Sequence, residues 1–315
     1  MSGVTVSAPR LSIIAIFYNM QREAPRTLYT LSTQYQRDVS EADYEVIVVD
    51  NGSTVPLSAE QTAGFGRNFR HLRIDDAAPS PAAAINHAVR QARAPAIGIM
   101  IDGARMVSPG IVNLALDCLR RFERPLIGTV GFHLGPELQS RSVLKGYNQA
   151  AEDKLLDTVD WRRDGYQLFS ISALGGSYQA AWLGPVAESN LSFLPRSLYD
   201  ELSGYDERFD LPGGGLVNLD FWRRGCERPD IDLVMLVGEA TFHQIHGGTM
   251  TNRPAPDIPA QMARYREQYQ AIRGVPYRIP SRVGLMYGYP RPEILPWMES
   301  ASRAVLEELK AQRGT

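Results

Sequence analysis

The sequence is poor in cysteine. Only Cys118 and Cys226 occur in 315 residues. Two thiols so far apart supply neither a disulfide framework nor a CxxC metal site, and they suit a reducing compartment. Long apolar runs are missing too, since none approaches the about 20 residues that a membrane-spanning helix needs. The opening "MSGVTVSAPR" lacks the apolar core of a signal peptide. Excess positive charge is also absent: the formal net charge is −2, which gives no basic field for a polynucleotide. Together these absences predict a soluble, cytoplasmic protein with no nucleic-acid partner and no transmembrane segment. Internal repeats and low-complexity segments are absent as well.

Three glycine signatures are missing in turn. After the first apolar run the chain reads "FYNMQRE", with no GxGxxG to bring backbone against a pyrophosphate, which argues against a dinucleotide oxidoreductase. No GxxxxGK[ST] phosphate loop and no GxSxG nucleophile elbow occurs.

What is present is ordinary globular composition, 44% hydrophobic and 22% charged. At this length about three quarters of the unfolded chain's surface can be buried. Strand-like runs "LSIIAIF", "YEVIVVD", "FRHLRID" and "AIGIMID" alternate with helical spacing over 22–36 and 80–93. Near-continuous apolar runs suit parallel strands buried on both faces. Ser80-Pro81 and Ser108-Pro109 each have the form of an N-cap followed by proline at the first turn. Such alternation predicts a doubly wound, mostly parallel α/β sheet. In the less regular second half, "PLIGTVGFHLG", "IDLVMLV" and "ATFHQIH" read as further strands, and the glycine triplet Gly213–Gly215 precedes a helix. The α/β part is expected over 1–250, followed by a helical C-terminal extension over 251–315. That extension ends in an amphipathic helix suited to packing or to a homodimer contact.

The stretch "MIDGARMVSP" ends a strand in a lone acid, Asp102, at the end of an open sheet where ligands bind. No second acid follows; Ala104 and Arg105 come instead. Asp50, in "DNGST", can serve either as a turn acid or as an acceptor for the N–H groups of a base.

The order of these motifs resembles family 2 glycosyltransferases, which have the GT-A fold. "LSIIAIFYN" carries the Tyr-Asn pair, Tyr18-Asn19, and "YEVIVVDNGST" carries Asp50 and Ser53. Asn86 follows in "AAAINHAVRQARAPAIGIMIDG", then Gly204, Tyr205, Asp206 and Glu207 in "ESNLSFLPRSLYDELSGYDERF", and finally "FHQIHGG". The resemblance spans 11–248 and implies a nucleotide-diphosphate sugar donor and a sugar or glycoconjugate acceptor. It assigns Tyr18, Asn19, Asp50, Ser53, Asn86 and Asp102 to the nucleotide, and Asp102 with His246 to a divalent Mn²⁺ or Mg²⁺ ion.

Two departures stand out. The family's Asp-x-Asp is degenerate here, with Ala104 in the ion-anchoring position. Weak or absent Mn²⁺ or Mg²⁺ dependence is therefore expected, with Arg105 either neutralising the diphosphate or standing as a solvated loop residue. His243 and His246, three apart on a strand, should point to opposite faces, so one histidine, His246, is expected in the site. Secondly, the family's general base falls on Asn218, which cannot take a proton; Asp220, then Asp206 or Glu207, are the replacements. Trp161, Trp182 and Trp222 can stack on sugar or pack in the core. The expectation is an inverting, hexosyltransferase-like enzyme; the alternative is a nucleotide-sugar-binding protein of the same fold that has lost turnover.

Overall fold

The run Leu11–Phe17 forms strand β1, with all seven of its residues buried. In the computed structural model, which describes residues 8–248 and 258–313, β1 lies near the middle of a ten-stranded sheet. Alternate residues serve opposite faces: Ile14 and Ile16 pack into one apolar layer, Ile13 and Ala15 into the other. Both faces are thus covered, as a parallel sheet requires.

Around β1 stand β2 (Tyr44–Asn51), β3 (Phe69–Ile74) and β4 (Ala96–Met100), all parallel, in the order β4-β1-β2-β3. Helices α1 (Ala24–Leu31), α2 (Ala59–Ala63) and α3 (Ala82–Gln91) make the crossovers. A short β5 (Arg105–Val107) and α4 (Ile111–Arg121) lead to β6 (Pro125–Leu134). An irregular stretch follows, with α5 (Gln139–Ser142), α6 (Gln149–Leu156) and β7 (Ser172–Leu174). Strand β8 (Leu191–Pro195) inserts antiparallel between β4 and β6, and α7 (Arg196–Glu201) and α8 (Val217–Cys226) precede β9 (Asp232–His243). Finally come α9 (Ile258–Arg273), β10 (Leu285–Gly288) and α10 (Leu295–Arg313). The doubly wound α/β architecture is as expected, with a helical C-terminal region.

Two local expectations change. The two late strands read from sequence are one, β9, which passes through Gly238 at φ +84°. A Cβ there would stand 2.1 Å from the Tyr289 carbonyl oxygen, so only glycine lets the strand continue. Ser108 does not cap α4; its hydroxyl accepts the Ala240 N–H at 2.9 Å, locking the start of that helix to β9. The C-terminal region packs against the sheet and adds a strand to it. Strand β10 pairs in parallel with β9, and α9 buries Tyr265 and Tyr269 in the same apolar layer as β1. The expected boundary at 250 lies outside the described residues. Among the described residues, no helix is long and apolar enough to cross a membrane.

Candidate active site

The loop after β4 is fixed by its backbone. Gly103 N–H donates to the Ile16 carbonyl at 2.7 Å, and the Thr27 hydroxyl donates to the Gly103 carbonyl at 2.7 Å. A Cβ on Gly103 would stand 2.4 Å from the Phe17 ring, so the tight approach needs glycine. Asp102 is thereby held at the carboxyl end of β4, its Oδ1 accepting the Ala104 N–H at 3.0 Å. The Ala104 side chain is fully buried in the apolar layer with Phe17 and Val107. An acid at that position would be aimed into hydrocarbon, which gives the degenerate motif a packing reason.

The groups that stand beside Asp102 are histidines. Strand β5 pairs with the end of β9, setting Arg105 opposite His243. His243 is fully buried, and its Nε2 lies 2.9 Å from Asp102 Oδ2. Its Nδ1 is 2.7 Å from Gln139 Oε1. Gln139 Nε2 donates to the Leu134 and His243 carbonyls, so Oε1 is the acceptor and the Nδ1 position of His243 carries the proton. The Nε2 lone pair then points at the acid.

His246 joins them, contrary to the expectation of opposite faces. The strand stops at His243, and the next residues leave it. Gln244 N–H donates to the Ala104 carbonyl at 2.8 Å, and Ile245 N–H donates to Glu152 Oε2 at 2.7 Å. The turned chain brings His246 Nε2 to 3.1 Å from His243 Nε2 and 3.7 Å from Asp102 Oδ1. Strand alternation governs strands only; three residues later it no longer applies.

The electrostatics follow from burial and proximity. Burial alone would raise the Asp102 carboxyl, but His246 and His243 outweigh it and hold it well below the usual range. Burial pushes His243 down to about 4, with Asp102 opposing. For His246 burial is overcome by Asp102, and the net direction is upward. Asp102, His243 and His246 offer three ligand atoms within 4.8 Å of one another. One carboxylate oxygen and imidazole nitrogens, with a glutamine fixing one ring, suit a divalent transition ion.

Arg105 is 5% exposed, with Nε 3.7 Å from Asp102 Oδ2. That Nε has no hydrogen-bond partner among the described residues. It is therefore not the solvated loop residue that was one alternative. A buried guanidinium with an orphaned donor can receive an anion.

On the β1–β2 side, Tyr18 is 56% exposed beyond the end of β1. Asn19 takes φ +53°; its N–H donates to Ser53 Oγ at 2.9 Å, and its Oδ1 accepts the Thr54 N–H at 2.8 Å. Asp50 is fully buried as a turn acid. It accepts the N–H groups of Ser53 and Leu57 and the Arg73 guanidinium at 2.8 Å. Asn86, expected at the nucleotide, is instead a clasp. Its Oδ1 accepts the Tyr199 hydroxyl and the Tyr205 N–H, while Nδ2 donates to the Tyr205 carbonyl and Glu207 Oε1.

On the acceptor side, α8 separates Asn218 from Asp220, as two-residue spacing on a helix demands. Asp220, the expected base, is fully buried and clamped. Oδ1 accepts Arg273 Nε at 2.6 Å, and Oδ2 accepts Arg273 Nη2 at 2.6 Å and Arg224 Nε at 2.8 Å. A carboxylate held in this way is poorly placed to take an acceptor's proton. Asp206 is engaged as well, by Arg208 and by Arg273 at 2.9 Å, and the Arg208 hydrogen bond draws its carboxyl down to about 2. Asn218 accepts the Tyr205 hydroxyl and donates from Nδ2 to Glu188 Oε2 at 2.9 Å. Trp161, Trp182 and Trp222 are all core residues; the Trp182 and Trp222 ring N–H groups donate to the Leu236 and Val186 carbonyls. None is available to stack on a sugar.

Gln139, Arg273 and Glu188 were not singled out from sequence. Each lies in an irregular stretch or far along the chain from its partner, where spacing carries no signal.

A strand-end acid, a buried arginine and a histidine segment at one edge of a doubly wound sheet can now be set beside known proteins. Residues 12–102 match Glycosyl transferase family 2. Among solved structures, the fold is similar to S. aureus TarS 1-349, at 12% identity and TM-score 0.52, covering 84% of this chain and 74% of that one. It is also similar to S. aureus TarS 1-349 in complex with UDP-GlcNAc, at 13% identity and TM-score 0.53, covering 83% and 66%. This is a GT-A fold. No curated protein sequence matches the chain. The matched family 2 segment ends at Asp102, so the histidines, Arg105 and α8 lie beyond it.

Proposed function

We propose that this GT-A chain is an inverting glycosyltransferase that moves a hexosyl unit from a nucleotide-diphosphate sugar to an acceptor hydroxyl. The observation that carries it is the convergence of Asp102, His243 and His246 beside buried Arg105, at the carboxyl end of β4. The TarS structures with UDP and with UDP-GlcNAc support a uridine nucleotide as the first donor to try. The base is received by the turn after β2, with Tyr18 as its exposed ring and Asn19 and Ser53 as the turn's polar groups. Asp50 acts through the turn it braces.

Arg105 receives the diphosphate, by hydrogen bonds that strengthen as charge develops on the leaving group. Asp102, His243 and His246 would hold a divalent ion, whose contribution when bound is Lewis-acid neutralisation of the diphosphate. The acceptor oxygen attacks the anomeric carbon in line, which inverts its configuration.

Nucleoside diphosphate release from a panel of sugar nucleotides, with and without divalent ions, tests this. Release that rises on adding acceptor is the expected result. Tight nucleotide-sugar binding without release favours the second reading, a binding protein without turnover, which Ala104 and Asn218 support.

A further inference from the structure

Glu188 is the carboxylate that the family resemblance leaves unused. It lies just before β8, in a segment that the sheet register brings to the site. Strand β8 runs antiparallel to β4 with Leu191 opposite Met100, so the residues entering β8 stand beside those leaving β4 toward Asp102. Glu188 is half-buried, and among the described residues it makes no ion pair. Its Oε1 accepts the Ser177 hydroxyl at 2.8 Å, and its Oε2 accepts Asn218 Nδ2 at 2.9 Å. A carboxylate has about four lone-pair sites, so two accepted hydrogen bonds leave room for a proton.

Its surroundings join it to the rest of the site. The Tyr178 phenol is pushed up by burial first, then raised by Glu188 and lowered by Arg105, so both charges act on one hydroxyl. Tyr205 and Tyr277 are raised in part by its charge as well. Of the other acids weighed as the base, Asp220 and Asp206 are bound to arginines, and Glu207 is exposed on the surface with Asn86 as its partner.

We propose that Glu188 is the general base for the acceptor hydroxyl, with Asn218 orienting its carboxylate from the position where a base is expected. This rests on the transferase reading above. In the step, the acceptor O–H proton passes to a Glu188 oxygen as the bond from acceptor oxygen to anomeric carbon forms. The bond from that carbon to the diphosphate oxygen breaks, and its electron pair leaves on the diphosphate.

The test is steady-state kinetics on Glu188→Gln, which keeps size and one acceptor oxygen for Asn218 Nδ2, turns its NH2 toward the Ser177 hydroxyl, and cannot take the proton. The expected result is a fall in kcat of about 10²–10⁴-fold, with donor KM and nucleoside diphosphate affinity unchanged. Glu188→Asp should regain part of the lost kcat. So should the double variant Glu188→Gln with Asn218→Asp, which returns a carboxylate one hydrogen bond away; a purely structural role for Glu188 would give no such rescue. An active wild type with an equally active Glu188→Gln overturns the assignment alone. A wild type that releases no nucleoside diphosphate from any sugar nucleotide overturns the transferase reading, and this assignment with it.

Discussion

Gln139 accepts the Nδ1 proton of His243 at 2.7 Å, and that bond decides what the other ring nitrogen can do. With Nδ1 protonated, Nε2 is left as a lone-pair donor facing Asp102 Oδ2 at 2.9 Å. Lone-pair atoms converging at that distance repel unless a cation or a shared proton lies among them.

Cation binding is therefore predicted despite the missing second acid, in competition with a proton on His246. Imidazole nitrogens favour Mn²⁺, Co²⁺ or Zn²⁺ over Mg²⁺. Calorimetric titration of the free protein is expected to give binding of one such ion per chain, lost in His243→Ala. Gln139→Leu, which frees the ring to turn, should weaken it by about 10–100-fold, the usual cost of removing a ligand's hydrogen-bond partner. Equal affinity in all three proteins would remove the ion from the site.

The Asp220–Arg273 pair predicts a stability effect. It joins α8 to α9 through two contacts of 2.6 Å with a fully buried carboxylate. Removing one partner of a buried pair costs about 3–5 kcal/mol where the charge left behind is unpaired, and less here, because Asp220 keeps Arg224 and Arg273 keeps Asp206. Asp220→Asn and Arg273→Ala should each lower the melting temperature, and the double variant should cost clearly less than the sum of the two. Asp220→Asn that melts like wild type but loses turnover would return Asp220 to the role of base.

The sheet was legible because β1, β2 and β4 are continuous apolar runs buried on both faces, and such runs have few other uses. The place of Asp102 was legible for the same reason, since it sits where a strand must end. His243 was harder. Period-two alternation assigns it away from His246, and only the end of β9 at His243 overturns that pattern. Asn86 and Asp220 illustrate a different limit. Both are polar residues expected in the site, yet their partners lie at 199–207 and at 273, and sequence spacing does not reveal such long-range pairing.

Glu152 predicts a pH effect with a definite sign. Burial raises its carboxyl from 4.5 to about 7, against the Ile245 N–H and Arg22, which lower it. Between those values the folded chain keeps a proton that the unfolded chain has released. Its contribution to stability is thus fully present below about pH 4.5 and lost as pH rises through about 7. Glu152→Gln lacks this dependence. Melting curves from pH 5 to 8 should show wild type losing stability relative to the variant, by about 3 kcal/mol at most. A difference constant with pH would mean that Glu152 stays ionised throughout.

Arg105 gives the sharpest test of the proposed diphosphate site. Its guanidinium is 5% exposed, yet its Nε lacks a hydrogen-bond partner among the described residues. Leaving a buried donor unsatisfied costs about 1–3 kcal/mol, which a diphosphate oxygen would recover on binding. Arg105→Gln should therefore weaken nucleoside diphosphate binding by about 10–100-fold, the worth of a hydrogen bond to a charged group. Affinity for the nucleoside alone, which has no phosphate, should stay unchanged. Lysine at 105 keeps the charge but loses the planar fork, so Arg105→Lys should recover only part of the loss. Calorimetry with uridine and UDP on the three proteins separates the outcomes. Parallel weakening of both ligands would mean that Arg105 supports the fold of the site, and unchanged UDP affinity would remove it from the diphosphate.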